Sequence, residues 1–107
     1  MLITDEEDEK LIPTEITLNQ NYPNPFNPST SIQYTISDLP TGQAGMQFVS
    51  LKVYDILGNE VAILVNSEQP SGVYLVEWNA GEFTSGIYFY QLLTGSFVQT
   101  KKMLLFK

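Results

Sequence analysis

The sequence contains no cysteine and no histidine among its 107 residues. Without cysteine the chain can form neither a disulfide bond nor a thiolate metal site. Without histidine it lacks the side chain that most often serves as a general base at neutral pH, and also the most common zinc ligand. These two absences exclude histidine-based catalytic triads and the usual zinc centres.

Basic residues and long apolar runs are also scarce. The chain has 5 Lys plus Arg against 12 Asp plus Glu, a formal net charge of -7. Non-specific nucleic-acid binding needs a basic face, so we do not expect it here. No apolar run approaches the roughly 20 residues that span a bilayer. The first residues also lack the basic and apolar regions of a signal peptide. We therefore expect the sequence to be part of a longer exported protein.

No motif for catalysis or for cofactor binding is present. The sequence has no nucleophile elbow and no Walker loop, and its turn glycines do not have the spacing of a phosphate-binding loop. The carboxylates of Asp55, Glu60, Glu77 and Glu82 fall in no recognisable pair for glycoside hydrolysis. We predict that the chain is not an enzyme and that it binds no cofactor and no metal.

Five consecutive acids, from Asp5 to Glu9, dominate the start of the chain. Because like charges repel and favour extension, residues 1–14 are predicted to be an acidic flexible linker and residues 15–107 to be one domain. A calcium site is the alternative. We set it aside because the run lacks the Asp-x-Asp-x-Asp-Gly spacing that arranges oxygen ligands around calcium.

Residues after position 15 alternate between apolar and polar side chains, in short runs separated by glycine and proline. The alternation is clear at Ile32, Tyr34 and Ile36, and it has the period of two expected of a half-buried strand. About seven such runs follow one another, without helical periodicity. We predict an all-β fold, an immunoglobulin-like antiparallel β-sandwich, with a small closed barrel as the alternative.

A segment rich in proline and asparagine interrupts this pattern between the first two predicted strands. Proline fixes φ, lacks a backbone N–H and restricts the residue before it, so residues 18–30 are neither helix nor central strand. We predict a rigid structural connector whose aromatic residues pack on the core. Its key residues are Tyr22, Pro23, Pro25, Phe26 and Pro28.

The remaining aromatic residues allow two interpretations. The strand phase places Trp78 in the core between two sheets and puts Tyr74, Tyr88 and Tyr90 on the inward face as well. Tyr54 and Phe89 fall on the opposite phase and could instead form a platform for sugar rings. The strongly apolar last strand is flanked by lysines. It could pair edge to edge into a homodimer, or another protein could recognise it.

Four segments, in this order along the chain, resemble the C-terminal sorting domains of proteins secreted by the type IX system in Bacteroidetes and related bacteria. Residues 21–30 read Asn-Tyr-Pro-Asn-Pro-Phe-Asn-Pro-Ser-Thr and are similar to the opening of that family. Residues 53–58, Val-Tyr-Asp-Ile-Leu-Gly, resemble its central strand and turn. Residues 85–90, Ser-Gly-Ile-Tyr-Phe-Tyr, and residues 101–107, Lys-Lys-Met-Leu-Leu-Phe-Lys, resemble its last two strands.

The resemblance implies a non-catalytic module at the end of a secreted protein. Such a module directs an N-terminal cargo domain from the periplasm through the outer-membrane translocon to the outside or the cell surface, and a sortase-like enzyme often removes it. The positions implied to carry the signal are Gly58, Gly86, Tyr88, Lys102 and Met103. The alternative function is an accessory adhesion or carbohydrate-binding sandwich of a modular secreted enzyme.

Overall fold

The computed structural model describes residues 15–38 and 45–107 as a chain of seven β-strands. The predicted acidic linker, residues 1–14, lies outside the described residues, as do residues 39–44. The strands are β1 (Thr17–Leu18), β2 (Ser29–Ile36), β3 (Gln47–Tyr54), β4 (Glu60–Gln69), β5 (Gly72–Asn79), β6 (Gly86–Thr94) and β7 (Phe97–Leu105).

The strands form two antiparallel sheets that pack face to face. One sheet has the order β1-β2-β5 and the other the order β4-β3-β6-β7. This confirms the predicted all-β sandwich, and the division into three and four strands is consistent with an immunoglobulin-like fold. The two separate sheets rule out the closed barrel that was the alternative. Within the described residues no helix is long and apolar enough to cross a membrane.

The core consists of the side chains that the alternating pattern directs inward. Each inner strand contributes every second residue, and most of these side chains are completely buried. They include Ile32, Tyr34 and Ile36 from β2, Val49, Leu51 and Val53 from β3, and Tyr90 and Leu92 from β6.

The single tryptophan lies at the centre of an aromatic cluster. Trp78 is buried, as predicted, and its ring centroid lies 5.9 Å from that of Phe26, 5.4 Å from that of Phe83 and 5.6 Å from that of Tyr88. Tyr88 meets Trp78 edge to face, an arrangement that stabilises aromatic pairs beyond the burial of their area. This cluster joins β5, β6 and the connector at one end of the sandwich.

Strand β4 is longer than its sequence suggested. The apolar run predicted a strand over residues 61–65 followed by a loop, but β4 continues to Gln69. Its second half pairs with β3, with Val49 opposite Ser67 and Gln47 opposite Gln69. Because β4 is an edge strand and this half is mostly exposed, the pairing accommodates polar side chains that do not alternate with apolar ones.

The two aromatic residues of the connector have different environments. Phe26 is 2% exposed and packs in the core, whereas Tyr22 is 80% exposed. The prediction that both rings pack on the core is therefore wrong for Tyr22. Tyr22 forms an antiparallel bridge with Ser31, which lies on the outward face of β2, and directly opposed residues share a face.

A buried tyrosine hydroxyl holds the start of the connector against the second sheet. The hydroxyl of Tyr90 accepts a hydrogen bond from the N–H of Asn21 at 2.8 Å and donates one to the carbonyl of Asn19 at 2.7 Å. The Asn21 side chain in turn donates to Thr30 Oγ1 and to the carbonyl of Pro23. Burial raises the pKa of Tyr90 to about 12, so this hydroxyl keeps its proton across the physiological pH range.

Replacement of the two connector aromatics separates their roles. We expect Phe26→Ala to lower the free energy of unfolding by about 3–5 kcal/mol, because it removes a buried ring and leaves a cavity beside Trp78. Tyr22→Ala, the matched control, should change it by less than about 0.5 kcal/mol because Tyr22 is exposed. Denaturant unfolding measures both values, and equal losses would contradict the assignment of Phe26 to the core.

Candidate functional site

The segments that resemble the sorting family meet at one end of the sandwich, where β3 ends, β6 begins and β7 ends. Tyr54 lies opposite Phe89, and Gly86 lies opposite Leu105. The turn between β3 and β4, the loop before β6 and the last residues of the chain are therefore neighbours. We call this the β7 end, composed of residues 54–60, 80–89 and 102–107.

Two of the predicted signal residues are core residues at the β7 end. Tyr88 and Met103 are directly opposed in the ladder between β6 and β7, and they are 6% and 1% exposed. The Tyr88 hydroxyl donates to the carbonyl of Thr84 at 2.8 Å, which ties the loop before β6 to the core. These two side chains can fix the shape of the β7 end, but they offer almost no surface to a partner.

Lys102 lies on the opposite face of the same strand and is exposed. Its neighbour across the ladder is Phe89, and its carbonyl accepts a hydrogen bond of 2.7 Å from Gln20 Nε2. Among the predicted signal residues whose side chains carry a functional group, Lys102 is thus the one accessible from solvent.

The connector covers the outer edge of β7 over its last residues. Asn24 Oδ1 accepts a hydrogen bond from the N–H of Leu104 at 3.0 Å. The N–H of Phe26 donates to the carbonyl of Leu104, and the N–H of Phe106 donates to the carbonyl of Phe26, both at 3.0 Å. Because β6 occupies the other edge, the backbone of this segment is hydrogen-bonded on both sides. Sequence analysis missed this contact because the two segments are far apart in the chain.

Lys107 fixes the loop that precedes β6. Its ammonium group donates to the carbonyls of Gly81 at 2.7 Å and Phe83 at 2.9 Å, and its backbone N–H donates to Ser85 Oγ at 3.0 Å. A lysine that satisfies two loop carbonyls orders the loop beside Tyr88. No motif in the sequence indicates this role, since it depends on where the strand ends in space.

The two predicted signal glycines permit the backbone conformations of this end. Gly58, in the turn between β3 and β4, has φ of 90°, a positive value that glycine adopts without steric strain. Gly86 has φ of 151°, and nothing lies within 4 Å of the position where its Cβ would be. A side chain at either position is therefore disfavoured by the backbone conformation.

The carboxylate of Asp55 organises the turn around Gly58. Its Oδ1 accepts hydrogen bonds from the N–H groups of Leu57 and Asn59, both at 2.9 Å, and its Oδ2 accepts one from Asn59 Nδ2 at 3.3 Å. These bonds, the backbone bond from Asn59 foremost, hold the pKa of Asp55 below its usual value of 3.8. The sequence signal that could have revealed this role is an aspartate at the start of a turn that contains glycine.

Two grooves flank this turn on the surface. One separates the turn from the loop before β6 and is lined by Ile56, Leu57, Val61, Phe83 and Tyr88, among others. The other lies on the outer face of the four-stranded sheet and contains Tyr54 and Phe89, the pair considered as a sugar platform. Both rings are half-buried in that groove.

The β7 end offers a partner a surface of defined shape. Within residues 15–38 and 45–107, no group of three or more acidic, histidine or cysteine side chains is close enough to hold a metal ion. Four of the five predicted signal residues lie together where β6 begins and β7 ends, and Gly58 lies in the adjacent turn.

The Asp55 turn makes a specific prediction about pH. Because the folded pKa lies below the unfolded value, the ionised carboxylate stabilises the folded state fully above pH 3.8, and this stabilisation is lost as the pH falls through the folded pKa. Asp55→Asn should therefore be less stable than the parent chain at neutral pH. The difference should shrink in acid, at about pH 2, because protonation of the carboxylate removes this stabilisation.

Thermal unfolding at the two pH values measures this difference. Glu82→Gln is the matched control, since Glu82 is exposed and accepts no hydrogen bond within the described part of the chain. The control should unfold with the parent chain at both pH values. An Asp55→Asn variant that stays equally far below the parent at both pH values would show that the carboxylate charge is not what stabilises the turn.

Comparison with known proteins places these observations in a family. The family model described as the secretion system C-terminal sorting domain matches residues 20–105. That range includes nearly all of the connector, the Asp55 turn and the whole of β7, and it covers most of the chain. Searches among curated proteins and among solved structures found no significant match. The chain belongs to the family of type IX secretion C-terminal sorting domains.

Proposed function

We propose that this chain is a non-catalytic sorting module, which directs a cargo attached at its N-terminal side through the type IX secretion machinery to the outside or the cell surface. The family match over residues 20–105 carries the proposal. The surface of the β7 end supports it, because the last strand is folded into the sandwich while Lys102, Leu104 and Phe106 remain exposed. A partner can therefore contact and recognise side chains of this segment without unfolding the domain.

The five signal positions divide into two roles in this proposal. Gly58, Gly86, Tyr88 and Met103 shape the β7 end, two through their backbone conformation and two through burial. Lys102 contacts the secretion machinery directly, because its side chain is exposed. The carbohydrate-binding alternative has weaker support, since Tyr54 and Phe89 are half-buried and a sugar platform requires open ring faces.

A passenger fusion tests the sorting function. A stable reporter protein is fused in front of residues 1–107 and expressed in a cell that has a type IX system, and surface display is measured by protease accessibility. We expect the reporter to reach the surface with the domain and to remain in the periplasm without it. Equal display with and without the domain would contradict the proposal.

A charge reversal tests the role of Lys102. Removal of the whole terminal segment is uninformative because it would also remove Met103 and Leu105 from the core. Lys102→Glu changes only an exposed side chain, and Val98→Glu, at an exposed position on the same face of β7 and outside both grooves, is its matched control. We expect Lys102→Glu to reduce display and Val98→Glu to leave it unchanged, with both domains folded. Equal display of the two variants would remove Lys102 from the recognition surface.

A further inference from the structure

The tip of the turn between β3 and β4 exposes two adjacent large apolar side chains. Ile56 is 65% exposed and Leu57 is 81% exposed. Turns of this kind are usually formed by polar residues and glycine, which water solvates well. Neither side chain contributes much to the core, so the stability of the fold does not explain why the turn carries them.

The backbone that carries this pair is held in one conformation. The carboxylate of Asp55 accepts a hydrogen bond from the N–H of Leu57, and the N–H of Gly58 donates one to the carbonyl of Asp55 at 3.0 Å. The N–H of Asp55 also donates to the carbonyl of Asn59 at 2.9 Å, which closes the base of the turn. A preorganised apolar projection loses little conformational freedom when it binds, so more of its contact energy appears as affinity.

Apolar surface adjoins the exposed pair on one side. Ile56 and Leu57 line a groove together with the apolar side chains of Val61, Phe83 and Ile87. Ile56 also lines the neighbouring groove on the outer face of the sheet. A partner that receives the tip of the turn would therefore cover adjoining apolar surface as well, which is typical of the centre of a protein interface.

The charged groups around this surface are mainly acidic. Asp55 and Glu82 line the same groove, and within the described residues neither forms an ion pair. Lys52 pairs with Glu60 at 3.3 Å, and the Lys107 ammonium group binds the carbonyls of Gly81 and Phe83. Lys102 is exposed, but it lines neither of the two grooves. A complementary surface would place basic side chains at its rim.

We infer that the Ile56–Leu57 pair is the docking projection of this domain, and that its partner is a protein with an apolar pocket bordered by lysine or arginine side chains. The inference rests on the proposed sorting function and names the chemistry of the partner for the same end of the molecule. The pair inserts into the pocket, and the carboxylates of Asp55 and Glu82 face the basic rim. Gly58 is required because the turn that presents the pair needs a positive φ.

The passenger fusion with the full 107-residue chain tests the projection. Ile56→Ser combined with Leu57→Ser should lower surface display at least about tenfold, as expected for the loss of two central apolar contacts. Val73→Ser combined with Leu75→Ser is the matched control, since these residues are 60% and 71% exposed on the outer face of β5. The control should be displayed like the parent, and both purified variants should unfold at the parent's temperature.

The rim is tested by charge reversal in the same fusion. Glu82→Lys should reduce display by repelling a basic rim, whereas Glu77→Lys, an exposed change on β5, should not. Normal display of the Ile56→Ser/Leu57→Ser variant overturns the inference and leaves the sorting function standing. Equal loss in the Val73→Ser/Leu75→Ser control also overturns it. Retention of the unaltered fusion overturns both proposals.

Sedimentation of the purified chain excludes a different occupant of the surface. A partner in the secretion machinery predicts that the isolated chain is a monomer at micromolar concentration. A dimer that dissociates when Ile56 and Leu57 are changed to serine would mean that a second copy of this chain occupies the projection. That result would overturn the inference in its present form.

Discussion

The contact between Phe26 and the end of β7 is the interaction on which the rest of this structure depends. The ring of Phe26 is buried in the aromatic cluster with Trp78, while its backbone bonds to Leu104 and Phe106. One residue thus contacts β5 of the three-stranded sheet through its side chain and completes the edge of β7 in the four-stranded sheet through its main chain. An unpaired apolar edge of this kind would be open to association with other chains.

The alternating pattern of side chains was sufficient to predict the sheets, the inward faces and the position of Trp78. It failed where local pattern does not determine structure. The second half of β4 is polar and was assigned to a loop, although pairing with β3 continues to Gln69. Tyr22 was assigned to the core because it is aromatic, but the direction of its side chain follows from its bridge with Ser31. Both errors arise from tertiary pairing overriding intrinsic preference.

The sequence motifs name candidate signal residues, but they do not predict where those residues lie relative to one another. The motifs of the sorting family identify Gly58, Gly86 and Lys102 on different elements, and only the antiparallel register brings those elements to one end. The family motif also does not distinguish Met103, which is buried, from Lys102, which is exposed. The two are adjacent in β7 and face opposite sides of the sheet. Exposed and buried side chains therefore alternate along this strand.

The hydrogen bond between Asn24 and Leu104 spans 80 residues of chain and has a consequence for biosynthesis. A ribosome makes the connector before β7, so Phe26 and Asn24 cannot form their hydrogen bonds with β7 until that strand has been translated. A chain whose translation stops before β7 leaves the aromatic cluster open and the β7 end unassembled. The surface at this end is thus complete only on a chain translated through β7. A partner that recognises this surface therefore selects chains whose synthesis has passed that strand.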